Sequence, residues 1–379
     1  MNNILNLSAT QTKTATALPE LLRVSKRNPC QICGKPDGCS IAADGSKALC
    51  MRIPSEKLAK NGDYVHYLDH STSQKAPPVK KVEIAPAVPK ASTEQHHAVY
   101  KSLLGALKLS EHHHQNLVER GLSKAAVAAN SYKSLHHFEA AVDKISSEFD
   151  LAGVAGFYQK NGRWLLNLSS KGAGFFVPSR NECGEIDGLQ IRTDKGTPRY
   201  FWLSSKDKEQ GAGSGTPFHF VNVEKAKASG RILITEGALK ADLIAHFTGE
   251  AVMAVAGVKS CSGLAERLEN LGIETALIAF DSDFITNDHV LRAINNLGMA
   301  LMAAGIKSSV LVWQKDKGKG LDDFLASHHT LAEAQEISFL DWRDRFEPPH
   351  STFKIADANQ FSDELDGCLL YTSPSPRDS

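Results

Sequence analysis

The chain has 379 residues, with 42% hydrophobic and 23% charged side chains; it is too long for one ordinary compact domain and too apolar to be wholly disordered. Its 43 Lys and Arg balance 43 Asp and Glu, so it lacks the chain-wide basic excess that is the simplest footprint of nucleic-acid binding. The longest apolar run, Ala251 to Val258, falls far short of the roughly 20 residues that span a bilayer. The polar N-terminus also lacks the basic and apolar regions of a secretory signal, so a cytoplasmic protein without a membrane segment is expected.

In chain order, residues 1–27 are polar and read as a disordered N-terminus. Residues 28–70 form a cysteine-rich unit in which Cys30, Cys33, Cys39 and Cys50 follow the pattern C-x2-C-x5-C-x10-C. Four of the seven cysteines fall within 21 residues, which in a reducing compartment argues for a metal rather than disulfides. Gly34, Pro36 and Gly38 let the thiolates approach one another, and four thiolates make a closed, structural zinc site. Cys183 and Cys261 have no partners at ligand spacing and read as ordinary thiols. The Pro-, Ala-, Ser- and Lys-rich stretch 71–95 is a linker. Apolar spacing at Leu103, Leu104, Leu107, Leu117 and Val118 predicts a helical segment over 96–149. Over 150–229, turn signals such as Lys160-Asn161-Gly162 and Asp194-Lys195-Gly196 punctuate aromatic and β-branched residues and predict short strands. The clusters His112 to His114, His136-His137 and His328-His329 have no Cys or acidic partner at ligand spacing and read as helix-surface or turn residues.

From 230 to 340 the texture changes. RILIT (231–235), AVMAVA (251–256), TALIAF (275–280) and SSVLVW (308–313) are short, continuous apolar runs, as expected of strands buried on both faces. Helical patterns over Ala238–His246, Ser262–Leu271 and Val290–Ala304 separate them, which predicts an α/β fold with a parallel four-stranded sheet flanked by helices. Ligands bind at the carboxyl ends of such strands. The first strand runs into Glu236-Gly237 and the third into Asp281-Ser282-Asp283, so three carboxylates converge if these strands are neighbours. Carboxylates packed together repel unless a divalent cation sits between them. Mg²⁺ suits an all-oxygen set and keeps waters that a phosphate-bearing substrate replaces, which makes phosphoryl transfer the natural chemistry. Residues 341–367 read as a tail or connection. The last twelve, Cys368 to Ser379, back-translate into a string resembling the transposase adapter of sequencing libraries and are set aside as an artefact; the native chain is expected to continue beyond Gly367.

Together, ILITEGALKADLIA, IAFDSD and KGKGLDDFLA resemble a Toprim domain, the catalytic fold shared by bacterial-type primases and topoisomerases. With the β region included, the resemblance covers roughly residues 150–338. It implies that Glu236 is a metal-linked general acid or base and that Asp281 and Asp283 bind Mg²⁺. It further implies that Asp322 and Asp323 form a trailing acidic motif handling a further metal or a triphosphate. Lys240 lies in an EGxLKAD-like run, similar to that of Toprim-like domains in mobile-element replication proteins, and is a catalytic candidate; Lys319 is a nucleotide-binding candidate. GLQIRTDKGTPRYFWLSS (188–205) is similar to the strand-rich subdomain preceding the Toprim core of primases, where basic residues face template and nucleotide, so Arg192, Arg199 and Lys206 are candidates. The cysteine unit resembles the zinc ribbons that precede Toprim domains, although those commonly use one His.

The neutral total hides local asymmetry. Arg23 to Lys60 holds eight basic residues against three acidic, and Arg192 to Lys208 five against two, the two segments for which the resemblance implies nucleic-acid contact. The expectation is a primase-like nucleotidyltransferase of a phage or plasmid, with structural zinc and catalytic Mg²⁺, acting on single-stranded DNA and nucleoside triphosphates. The chain has no G-x4-GK[ST] phosphate loop, so a replicative helicase is expected in trans or fused downstream. The alternatives are a Toprim nuclease and a non-catalytic DNA-binding or recruitment module.

Overall fold

The computed structural model describes residues 21–25, 28–59, 63–68, 88–168, 173–195, 199–256 and 263–346. The chain divides into two compact units, with the second beginning at residue 83. Residues 1–20, most of the predicted linker, Cys261, residues 347–367 and the last twelve residues lie outside the described residues.

The first unit is a four-stranded antiparallel sheet in chain order: β1 (Leu21–Arg23), β2 (Ser40–Ala42), β3 (Lys47–Cys50) and β4 (Tyr64–Tyr67). Asp44 shapes the β2–β3 turn by accepting hydrogen bonds from the Ser46 N–H at 3.0 Å and the Ser46 hydroxyl at 2.7 Å. The apolar core is little more than Val24, Ile41 and Ala48 around the buried Cys30, Cys39 and Cys50. So small a core does not ordinarily hold a fold by itself.

The second unit opens with α1 (Thr93–Ala106), α2 (Glu111–Glu119) and α3 (Lys124–Asn130). Ser92, Ser110 and Ser123 precede them, and each side chain accepts from the N–H three residues on, which satisfies an otherwise orphaned donor. The Ser92 cap starts α1 inside the stretch read as linker. β5 (Lys133–Ser134), α4 (Phe138–Glu148) and a hairpin of β6 (Phe157–Lys160) and β7 (Arg163–Leu166) follow. Asn161 and Gly162 both take positive φ at the hairpin turn, the two-residue geometry that matches strand twist. β8 (Gly174–Arg180), β9 (Ile186–Thr193) and β10 (Tyr200–Trp202) complete an antiparallel sheet of order β10-β9-β8-β5.

The remaining elements are β11 (His219–Val221), α5 (Val223–Ser229), β12 (Arg231–Glu236), α6 (Ala238–Thr248), β13 (Val252–Val255), α7 (Leu264–Asn270), β14 (Thr275–Ile278), α8 (Asp288–Ala303), β15 (Lys307–Val312), α9 (Leu321–Ala326), β16 (Gln335–Ser338) and α10 (Phe339–Phe346). They build a sheet of order β11-β13-β12-β14-β15-β16. The four apolar runs are its parallel centre, as predicted, but the sheet is wider than expected because β11 and β16 add antiparallel edges. These edges escape the apolar-run criterion: β11 is three residues long, and only Ile337 of β16 is buried. Successive residues of β12 serve opposite faces. Ile232 and Ile234 pack with Ile294 and Leu297 of α8, while Leu233 packs with Ala241 and Ile244 of α6. Among the described residues no helix is long and apolar enough to cross a membrane.

α10 carries the packed fold six residues into the segment read as a tail, because Trp342 is fully buried against Phe284, Phe339 and Phe346. Its indole nitrogen has no hydrogen-bond partner, so its contribution is packing. Trp342→Ala is expected to lower the unfolding free energy by about 3–5 kcal/mol and Trp342→Phe by much less, as read by urea denaturation.

Candidate functional site

The first cluster lies in the N-terminal unit. Cys30 and Cys33 sit on a tight loop closed by the Gly34 N–H donating to the Cys30 carbonyl at 2.8 Å. The fold brings Cys39 at the start of β2 and Cys50 at the end of β3 beside them, so the four sulfurs all lie within 4.8 Å of one another. The Cys33–Cys39 and Cys39–Cys50 sulfur separations are 3.7 and 3.9 Å. Four bonds of about 2.3 Å in tetrahedral array put sulfurs about 3.8 Å apart, so the thiols fit a zinc ion. The Arg52 and Ile53 N–H groups donate to the Cys50 sulfur at 3.4 and 3.3 Å. The Arg52 guanidinium reaches the Cys33 and Cys39 sulfurs while anchored on Asp37, an arrangement that offsets thiolate charge. Burial pushes the Cys39 and Cys50 thiols up, so without a cation they stay protonated.

The second cluster forms at the carboxyl ends of β12 and β14, which are adjacent and parallel. Glu236 ends β12, and Gly237, at φ +78°, turns the chain directly into α6, which places Lys240 in the first helical turn. Asp281 and Asp283 flank Ser282 at the start of a 3₁₀ turn. The Ser282 N–H donates to the Lys319 carbonyl at 2.8 Å and its hydroxyl to the Gly318 carbonyl at 3.1 Å, which locks this loop to the one after β15. Lys319, Gly320 and Asp322 are thereby brought to the same crevice. At Gly320 a methyl group would collide with the Asp322 carboxylate and lie 3.4 Å from Lys240 Nζ and 3.5 Å from Asp281 Oδ1.

The charges interlock. Lys240 Nζ pairs with Asp281 Oδ1, and Lys319 Nζ lies 3.2 Å from Asp281 Oδ2 and 3.6 Å from Asp283 Oδ2. Arg120, just past the end of α2, holds Asp322 at 3.0 Å. Sequence reading missed Arg120, since nothing in the local pattern links it to a carboxylate 202 positions away. Asp323 instead accepts from the Gly320 N–H and closes the first turn of α9. Burial, then the neighbouring Asp281, pushes Glu236 up to about 7. Burial opposes charge on Asp281, but Lys240 and Lys319 outweigh it and hold the carboxyl below the usual range. Three oxygens, Glu236 Oε1, Asp283 Oδ1 and Asp322 Oδ1, are buried without a hydrogen-bond partner. Such orphaned acceptors are costly and mark where a cation or donor belongs.

The basic candidates of the β region are not gathered there. Arg192 is buried, its guanidinium over the Phe175 ring at 5.5 Å, and so is interior to the sheet; Arg199 is half-buried and donates to the Asp194 carbonyl, and Lys206 is exposed. His113 also departs from a surface role. It is buried with Nε2 2.8 Å from Asp194 and Nδ1 2.6 Å from the Ser134 hydroxyl, clamping α2 to β5 and the end of β9.

A family described as a domain of unknown function, DUF3854, matches residues 224–332, a span that holds every acid and lysine of the second cluster. No curated protein matches the sequence. Among solved structures, the RNA polymerase domain of the Mycobacterium tuberculosis primase DnaG aligns with a TM-score of 0.52 at 15% identity, covering 67% of this chain and 87% of that one. The same domain in complex with double-stranded DNA aligns at 0.50 and 16%, covering 67% and 84%. The zinc-binding and RNA polymerase domains of the Aquifex aeolicus primase align at 0.50 and 15%. That match covers 65% of this chain and 63% of the Aquifex chain. The fold is that of primase catalytic cores.

Two outcomes follow from the electrostatics. Because the buried thiols must lose protons to bind metal, zinc uptake by the metal-free chain is expected to release protons and to tighten as pH rises, as measured by calorimetry in buffers of different ionisation enthalpy. A glutamate that titrates near 7 folded and near 4.5 unfolded binds more protons in the native state between those values, so its contribution to stability falls as pH rises through them. In chelator, Glu236→Gln is therefore expected to melt above the unsubstituted chain at pH 8, with the gap closing by pH 5.

Proposed function

We propose that the chain is a Toprim-type primase-like nucleotidyltransferase that joins nucleoside triphosphates into primers on single-stranded DNA. The observation that carries this reading is the convergence of Glu236, Asp281, Asp283 and Asp322 with two lysines at adjacent parallel strand ends, three carboxylate oxygens being unpaired. The primase-core fold and a cysteine cluster that fits structural zinc support it. DNA as partner is in keeping with the DNA-bound state of the aligned Mycobacterium domain.

Glu236, Asp281, Asp283 and Asp322 would hold Mg²⁺, which when bound supplies Lewis-acid stabilisation of charge on the reacting phosphate. Glu236 would take the proton from the attacking 3′-hydroxyl as general base. Lys240 and Lys319 present ammonium groups for the phosphate oxygens of the incoming nucleotide. Arg120 orients Asp322. The cysteine unit, with its local basic excess, and the exposed Lys206 are the surfaces assigned to template. A cytoplasmic setting, a role in phage or plasmid replication and a helicase in trans or fused downstream complete the proposal.

Primer synthesis on single-stranded DNA with nucleoside triphosphates and Mg²⁺ tests it. Glu236→Gln and Asp281→Asn are expected to lower the rate by at least about 100-fold, in the range seen when one catalytic group is removed, while changing DNA affinity less than about two-fold. Strand cleavage without primers would make the chain a nuclease, and DNA binding with neither activity a recruitment module.

A further inference from the structure

Outside the crevice, another cluster of ligating atoms forms where the start of α2 meets the end of β9. Spacing along the chain leaves the His112 to His114 run without an acidic partner, but the fold supplies one. A ring nitrogen each from His112 and His113 and a carboxylate oxygen of Asp194 all lie within 4.8 Å of one another. His113 Nε2 is 2.8 Å from Asp194 Oδ1. Ligands bonded to one transition ion at about 2.0–2.2 Å stand about 3 Å apart when their bonds are at right angles and about 4 Å apart when opposite. The His113–Asp194 pair is therefore already at the separation of two ligands. His112 is exposed, so its ring can turn to complete the set without displacing the core.

The surroundings hold His113 as a ligand is held. It is 2% exposed and packs against Phe175. Its Nδ1 lies 2.6 Å from the Ser134 hydroxyl and 3.0 Å from that of Ser110, and the Ser110 N–H donates to Ser134 Oγ at 2.8 Å. Metal-bound imidazoles are oriented in this way, through a hydrogen bond at the nitrogen that does not coordinate. Burial pushes His113 down, so the ring stays neutral, the form that binds metal. The dipole of α2 slightly opposes a cation at its first turn, and Glu111 in that turn counters it. Two imidazoles with one carboxylate suit zinc and neighbouring transition ions, whereas Mg²⁺ prefers oxygen alone.

We propose that His112, His113 and Asp194 bind a divalent transition ion, with water completing its coordination. The ion pins the start of α2 to the end of β9. The residue that ends the same helix, Arg120, holds Asp322, so occupancy steadies one cation of the crevice from outside it.

The test is equilibrium dialysis of the full chain against Zn²⁺, with bound zinc counted by inductively coupled plasma mass spectrometry. His112→Ala is expected to hold one zinc fewer per chain than the unsubstituted protein. The count is a difference between variants, so zinc on the cysteine unit or in the crevice cancels, and an exposed side chain is removed without disturbing the core. Asp194→Asn and Ser134→Ala are expected to weaken that same ion about ten-fold or more, with circular dichroism reporting that each is folded. His137→Asn, at an exposed histidine outside the cluster, is expected to change nothing. Equal zinc in the unsubstituted chain and in His112→Ala at every concentration would overturn the proposal and leave His113 and Asp194 as a hydrogen-bonded pair alone. An equal loss in His137→Asn would also overturn it, because it would mark adventitious binding to surface histidines.

Discussion

Asp281 carries an ammonium on each carboxylate oxygen, and much else in the second unit depends on that arrangement. Adjacent parallel strands β12 and β14 deliver acids to one crevice, where they repel in poorly solvated surroundings. The compensating cations come from elsewhere in the chain: Lys240 from the start of α6, Lys319 from the loop after β15, and Arg120 from the end of α2. The ion pairs therefore tie together segments far apart in sequence, and the helical region before the β-rich sheet becomes part of the crevice through the Arg120–Asp322 contact. Compensation is incomplete, and the unpaired oxygens of Glu236, Asp283 and Asp322 leave the crevice poised to accept positive charge.

The first unit solves the opposite problem. Its core is too small to hold the sheet by apolar burial, and its four clustered sulfurs fit a zinc ion that would take over that role. With Cys30, Cys39 and Cys50 buried and every ligand supplied by the chain, a metal there is closed to substrate and structural. The acidic crevice is partly open, with the Lys240 side chain 24% exposed. One chain thus pairs a soft, closed donor set with a hard, open one.

Much of this was legible without coordinates. Continuous apolar runs announced the parallel strands because a strand covered on both faces must be apolar at every position. The cysteine spacing announced the sulfur cluster, and Glu236 and the Asp281–Asp283 pair stood where such sheets place their chemistry. Short edge strands, α10 and the buried Trp342 were not legible, since a few residues with one buried face give too little periodicity to detect. The direction of Arg192 was not legible either, because composition records charge and not orientation: its guanidinium lies inward over Phe175.

The sequence alone therefore determined the local facts: where the four central strands of the parallel sheet run, which turns carry carboxylates, and which thiols lie close enough along the chain to share a metal. Tertiary structure decided which of these become neighbours. The β12–β14 pairing that makes one crevice of two turns, the Arg120–Asp322 contact across 202 positions, and the His113–Asp194 clamp across 81 are all of this kind. The reason is physical: periodicity and spacing report on interactions within a few residues, whereas ion pairing and burial depend on distances that exist only once the sheet has its strand order.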